Sequence, residues 1–303
     1  MRVIVFGGTG MLGSHLSDKL RREGHEVGIA SRRRPAVAAM PWVACDIRDP
    51  AAVRAAMAEL RPEVVVHFAA ALQFACQNDP ALAVEVNIAG TNNVLTAAKE
   101  AGCRQVVFAS SQAAYGESSG ELTESAAPAA STSLYGRAKW FEELLGETHA
   151  ARGDFRFTAL RFGAVIGKGE VGGPGMASVR KSIELTHTGA DVDVPEASGE
   201  ELAQLTYVDD AVDATLALMT APVLRHTVYN VAGPAANYIS LREYHATVRR
   251  LFPHAGQARF RGRARSLGSL STRRLEEDTG FRPRVSVEDA LRAMYGQAVH
   301  TRA

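Results

Sequence analysis

The sequence predicts a doubly wound α/β fold, a parallel sheet with helices on both faces, joined to a smaller, mostly helical C-terminal substrate lobe. Two observations carry this prediction. Short β-branched runs alternate with longer Ala- and Leu-rich stretches of helical period, which is the signature of βαβ crossovers and of strands buried on both faces. The first such run passes directly into a glycine-rich turn, Gly7-Gly8-Thr9-Gly10-Met11-Leu12-Gly13.

Taken in order, strands are expected at Arg2–Phe6, Glu26–Ala30, Val43–Cys45, Val64–Ala69, Gln105–Ala109 and Phe157–Phe162. Helices are expected between them, near Leu12–Glu23, Pro50–Leu60, Leu82–Ala101 and Leu134–Arg152, and right-handed crossovers wind the whole into one sheet. The glycine-rich stretch Gly163–Gly175 ends the alternation, so there the chain leaves for the smaller lobe. Tyr207–Met219 and Thr227–Val231 read as a return to the sheet, and after Pro234 a mostly helical tail follows, interrupted by the Arg-rich Arg259–Arg265.

Composition narrows the function. A hydrophobic fraction of 46% with 22% charged residues excludes a disordered chain. A net charge of +1 supplies no field for nucleic acid or an anionic membrane surface, so a small-molecule partner is expected. Cys45, Cys76 and Cys103 are isolated, which encodes neither a disulfide framework nor a zinc site and suits a reducing compartment. No apolar run approaches the ~20 residues that span a bilayer, and Met1–Phe6 runs into glycine without a secretory leader. A cytoplasmic protein is expected.

The glycine turn follows a strand and opens a helix, the context in which such glycines bind a dinucleotide. Gly7 permits the tight turn, Gly10 lets a pyrophosphate approach the backbone, and Gly13 lets helix and strand pack closely, while Thr9, Met11 and Leu12 border the unpaired amides of the helix start. At the end of the second strand a carboxylate would bind a free ribose 2′-hydroxyl. The chain instead carries Ser31-Arg32-Arg33-Arg34, which favours NADP(H) over NAD(H), with Arg32 the best placed and Ser31 and Arg33 beside it. Those arginines could equally form a solvated basic loop. Asp46-Ile47 either lines the adenine pocket, or Asp46 caps a helix.

Tyr135 and Lys139 stand four positions apart, on one face of the helix near Leu134. A phenol titrates near ~10, and a neighbouring ammonium is expected to lower that and make Tyr135 a usable acid and base. The strand before them ends in Ser110-Ser111, beyond the carboxyl edge where ligands sit in open α/β sheets. Ser111 is expected to hold the substrate oxygen, Ser110 to bond its local backbone, and Tyr115 to wall the pocket.

With these motifs the chain resembles the extended short-chain dehydrogenases/reductases, the NAD(P)-dependent epimerase/dehydratase family. Further marks are His67-Phe68-Ala69-Ala70, Val86-Asn87-Ile88-Ala89-Gly90-Thr91, Leu160–Gly167, Tyr207-Val208-Asp209-Asp210 and Thr279-Gly280-Phe281-Arg282-Pro283. The resemblance implies a Rossmann sheet over residues 1–163 and 205–233, a substrate lobe over 164–204 and 234–303, and a homodimer. It implies Ser111, Tyr135 and Lys139 as catalytic residues with Asn87 in support, unless Asn87 merely caps the following helix, and adds Phe68, Ala69 and Ala70 to the cofactor site. A stripe of Trp140, Phe141, Leu144 and Leu145 would face a second subunit or pack on the sheet.

Departures from the family's pattern bear on the reaction. Gln112-Ala113 stand where related dehydratases carry an acidic pair, and Leu202-Ala203-Gln204-Leu205 lacks the phosphate-binding arginine of many sugar-nucleotide epimerases. Arg259, Arg261, Arg263 and Arg265 could replace it or form a solvated loop. The expectation is a ketone–alcohol oxidoreductase, with an epimerase as the alternative and a non-catalytic dinucleotide sensor as the third reading.

Overall fold

Val3 and Val5 of Arg2–Phe6 (β1) point into one apolar core and Ile4 and Phe6 into the other. Period-two alternation with both faces apolar requires cover on both sides. In the computed structural model, which describes residues 1–35, 40–126, 133–152, 155–168, 185–186, 188–195, 197–262 and 267–296, that cover is present. Met11–Arg22 (α1) is followed by Glu26–Ser31 (β2), Trp42–Ala44 (β3), Pro50–Leu60 (α2), Val64–His67 (β4) and the short Gln73–Asn78 (α3). Next come Gly90–Glu100 (α4), Gln105–Ser111 (β5), Glu121–Leu122 (β6), Leu134–Ala150 (α5), Arg156–Phe162 (β7) and Ala164–Ile166 (β8).

The second half contains Val192–Val194 (β9), Leu202–Tyr207 (β10), Val208–Thr220 (α6), Val228–Val231 (β11), Tyr238–Ser240 (β12) and Leu241–Leu251 (α7). Ala258–Phe260 (β13), Ser269–Leu270 (β14), Arg273–Thr279 (α8) and Val287–Tyr295 (α9) complete it. Seven strands form one sheet in the order β11-β7-β5-β4-β1-β2-β3, every pair parallel. The order reverses between β1 and β4, and at such a switch point the carboxyl ends of the strands open a crevice. Truncating Ile4, which is fully buried, to alanine costs roughly 2–5 kcal/mol.

Two expectations about elements need correction. The helix expected over Leu82–Ala101 is a π-helical stretch, Ala83–Ala89, running into α4. The wider turn carries Asn87 inward, where its amide grips Ala71. The return to the main sheet is made by β11 alone, since β10 pairs with β8 and, antiparallel, with β12 in a separate three-stranded sheet. The tail after Pro234 holds a short 3-10 turn, Ala235–Asn237, and three α-helices interleaved with three short strands among the described residues. It is fastened to α6 by Asp210, whose carboxylate accepts the backbone N–H groups of Arg284 and Val285 at 3.0 and 2.9 Å.

Candidate active site

The glycine turn occupies the crevice at the switch point. Gly7 has φ +83°, and a Cβ there would lie 2.6 Å from the backbone nitrogen of Ala69, so the turn and the segment Phe68-Ala69-Ala70 after β4 close on each other. A Cβ on Gly13 would come within 2.3 Å of the Gly7 carbonyl oxygen, whereas one on Gly10 would meet only that oxygen, at 3.4 Å. Asp49, Ser133, Ser240 and Ser286 cap α2, α5, α7 and α9 with their side chains, but no side chain caps α1, which follows Gly10 and has no acid in its first turn. Amides left open at a helix start, in a cradle lined by glycine, fit the pyrophosphate of a dinucleotide.

At the end of β2 the Ser31 hydroxyl is already engaged, donating to the Arg33 carbonyl at 2.7 Å and accepting from Trp42 Nε1 at 3.0 Å. Ser31 therefore shapes the loop, and Arg32 and Arg33 stand exposed. Arg34 lies over the Trp42 ring at 5.6 Å. Asp46 caps no helix, because the cap of α2 is Asp49, which accepts the Ala51 N–H at 2.8 Å. Asp46 pairs with Arg48 at 2.7 Å, which holds its carboxyl below the usual range, and Ile47 is buried against Gly90.

Ser133 caps α5 by accepting the Gly136 N–H at 2.9 Å, and the helix then turns an unusual face inward. Gly136, Ala138, Lys139, Glu142, Glu143 and Gly146 are buried, while Leu134, Phe141 and Leu144 are exposed. Gly146 is required there, since a Cβ would lie 2.1 Å from the Phe157 ring. Lys139 Nζ lies 5.8 Å from the centroid of the Tyr135 ring and 4.4 Å from that of Phe108. Burial pushes the Tyr135 phenol above its ordinary value, against the opposing pull of the Lys139 charge and a Ser111 hydrogen bond. The ammonium pulls the phenol down as expected, but desolvating a phenolate outweighs a cation whose charge Glu142 shares at 3.2 Å.

Residues 3–232 match the NAD dependent epimerase/dehydratase family. The chain belongs to that family. Its relatives catalyse different reactions. It is 29% identical to a UDP-N-acetyl-alpha-D-glucosaminuronate decarboxylase of Bacillus cytotoxicus, over 73% of this chain and 72% of that protein. It is also 29% identical to a 3-diazoavenalumate denitrifying reductase of a Streptomyces species, over 79% of each. The crystal structure of a Thermus thermophilus UDP-glucose 4-epimerase in complex with NAD superposes with a TM-score of 0.88 at 27% identity, covering 99% of this chain and 100% of that one.

As a member of the family, the chain is a nicotinamide-dependent enzyme of the extended short-chain dehydrogenase/reductase type. Behind Ser111 lies a layer that the sequence reading missed. Ser110 bonds Glu143 rather than its local backbone. Glu143 takes a two-pronged bond from Arg161 at 2.9 and 2.6 Å, and Arg161 lies 4.5 Å over the Tyr115 ring. Tyr115 is buried beneath the site and donates to Asn230 at 2.8 Å, so it is no pocket wall. Ser111 Oγ accepts the Ala113 N–H at 3.1 Å.

Asn87 caps nothing, because it both accepts from Ala71 N–H and donates to Ala71 O, at 2.8 and 3.0 Å. Gln112 donates to Gly268 O at 2.6 Å and Gln204 to Gly233 O at 2.7 Å, both buried. Arg259 and Arg261 face Asp191 and Asp193 at 2.7 and 3.5 Å, and Arg263 and Arg265 lie outside the described residues. The signal for the missed layer was present in Glu142-Glu143, three and four residues beyond Lys139 on the same face.

Proposed function

We propose that the chain is an NADP(H)-dependent oxidoreductase that interconverts a ketone and a secondary alcohol. The observation that carries this reading is the Tyr135–Lys139 pair on α5, the lysine buried and the half-buried phenol in hydrogen-bond reach of Ser111 at the carboxyl end of β5. Bound there, a nicotinamide supplies the hydride for the carbonyl carbon, or takes it up in the reverse direction. The Tyr135 hydroxyl gives its proton to the carbonyl oxygen in reduction and recovers it in oxidation. Ser111 donates a hydrogen bond to the same oxygen, Lys139 biases the phenol, and Asn87 holds the backbone at Ala71.

The glycine turn with Phe68, Ala69 and Ala70 binds the pyrophosphate side of the cofactor, and Asp46-Ile47 lies towards its adenine. Absence of a carboxylate after β2 and the exposed Arg32 and Arg33 support NADP(H). Residues 1–163 with 205–233 hold the cofactor, and 164–204 with 234–303 hold the substrate. The exposed Leu134, Phe141 and Leu144 on α5 support a homodimer through that helix. Among the described residues no helix is long and apolar enough to cross a membrane, and we place the enzyme in the cytoplasm.

An epimerase is the second reading, favoured by the likeness to UDP-glucose 4-epimerase in complex with NAD. Mixing the protein with NADPH and a ketone panel, or NADP+ and the alcohols, separates the two: an oxidoreductase consumes cofactor in step with product, and an epimerase does not. Tyr135→Phe is expected to lower turnover by at least about a hundredfold while cofactor binding persists. Undiminished turnover in that variant overturns the assignment. Cofactor binding without turnover of any substrate would leave the dinucleotide sensor.

A further inference from the structure

Three elements meet behind the phenol: β4 brings His67, α4 brings Thr91, and α5 brings Tyr135, Lys139 and Glu142. The ammonium of Lys139 is nearer the Glu142 carboxylate, at 3.2 Å, than the Tyr135 ring, and the two side chains of this pair are 2% and 0% exposed. Thr91 donates its single hydroxyl hydrogen to Glu142 Oε1 at 2.7 Å, so its oxygen accepts the Nε2–H of His67 at 3.0 Å. That choice leaves His67 Nδ1 bare, and Nδ1 has no partner among the described residues. Every hydrogen in the chain of bonds therefore points towards Glu142, as a carboxylate requires. A Glu142 protonated on Oε1 would reverse both bonds and bury an Nδ1–H without an acceptor, at a cost of about 1–3 kcal/mol; burial raises the Glu142 carboxyl, and the Lys139 ammonium at 3.2 Å and the Thr91 hydroxyl oppose that rise.

An ion pair this deep roughly breaks even against an apolar pair in stability, so stability alone does not account for it. We propose that Glu142 is a positioning residue for Tyr135: it anchors the Lys139 ammonium behind the phenol and offsets part of its charge, so that Tyr135 releases its proton less readily than beside a lone cation. The remaining groups facing this cluster do not replace Glu142. Cys76 on α3 is a buried thiol raised above its ordinary value, Ser111 on β5 is uncharged, and Glu143 on α5 is held by Arg161 from β7. His67 is kept neutral by burial. The inference rests on Tyr135 as the proton-exchanging group.

The test is an ultraviolet titration of tyrosinate in the cofactor-free protein, with Tyr135→Phe subtracted as the blank. The wild-type phenol is expected to titrate above the ordinary ~10. Glu142→Gln should bring it down by about one pH unit, the size expected when a cation 5.8 Å from the ring no longer shares its charge with a carboxylate. Thr91→Val, which takes a donor from the carboxylate and leaves its charge in place, should shift it less than Glu142→Gln does. A merely structural role predicts a lower melting temperature in both variants with the Glu142→Gln titration unmoved, and an unmoved or raised titration in Glu142→Gln overturns the inference. Should Glu142→Gln fail to fold, a wild-type phenol titrating at or below ~10 overturns it as well. If Tyr135→Phe retains turnover, the catalytic reading fails first, and that outcome is separate from an unmoved titration.

Discussion

Replacing Glu143 by leucine tests the layer beneath the catalytic strand. In the folded chain the Glu143 and Arg161 side chains are 3% and 4% exposed, and two bonds join them. Glu143→Leu leaves the guanidinium buried without a counter-charge and removes the acceptor of Ser110. Breaking one side of a buried pair costs roughly 3–5 kcal/mol. At about 2 °C per kcal/mol for a chain of this size, the melting temperature should fall by roughly 6–10 °C. Scanning calorimetry reads this directly. The double variant Glu143→Leu, Arg161→Met removes both charges and should recover more than half of the loss, because it is the orphaned charge that costs most. A fall below about 2 °C, or a double variant no better than the single one, would refute the reasoning. Activity should drop alongside stability, since Ser110 adjoins Ser111.

Three further outcomes follow from the geometry. Gly13→Ala forces a Cβ to within 2.3 Å of the Gly7 carbonyl, an overpacking cost of ~1–3 kcal/mol, so calorimetric cofactor affinity should weaken by about 5- to 150-fold, and unchanged affinity counts against this turn as the binding site. Arg32→Ala should weaken NADP+ binding by about tenfold or more while sparing NAD+, and an equal effect on both removes Arg32 from the 2′-phosphate. Burial lowers the pKa of His245 from 6.5 to about 4 and that of His67 to about 3. As pH falls from 6.5 towards those values the unfolded chain binds more protons than the folded one, so each histidine takes away up to ~1.4 kcal/mol of stability per pH unit. Urea midpoints measured across that window should fall less steeply for His245→Phe than for wild type, and equal slopes would contradict its neutral burial.

Much of the fold could be read from the sequence because its causes are local. Val64-Val65-Val66 cannot be solvated on either face, Pro50 after Asp49 starts a helix wherever it occurs, and glycines at 7 and 13 answer to backbone geometry. What escaped the reading depends on partners distant in the chain. Nothing near Tyr115 announces Asn230, with which it shares a hydrogen bond. The inward turn of Glu142 and Glu143 is decided by Thr91 and Arg161 on other elements, and two adjacent acids on a helix otherwise read as a solvated face. The net rise of the Tyr135 phenol was missed for the same reason, since spacing reveals the cation but not the burial opposing it.

Asp210 tethers the last part of the chain to a helix, Val208–Thr220, that packs against the helix opening at the glycine turn. Anyone transplanting a pocket from a relative into this scaffold must therefore move the tether and its two amides as one piece. A graft cut cleanly after Pro234 would carry a foreign tail with no matching grip, and the penalty would surface at the nucleotide end of the molecule, far from the exchanged residues.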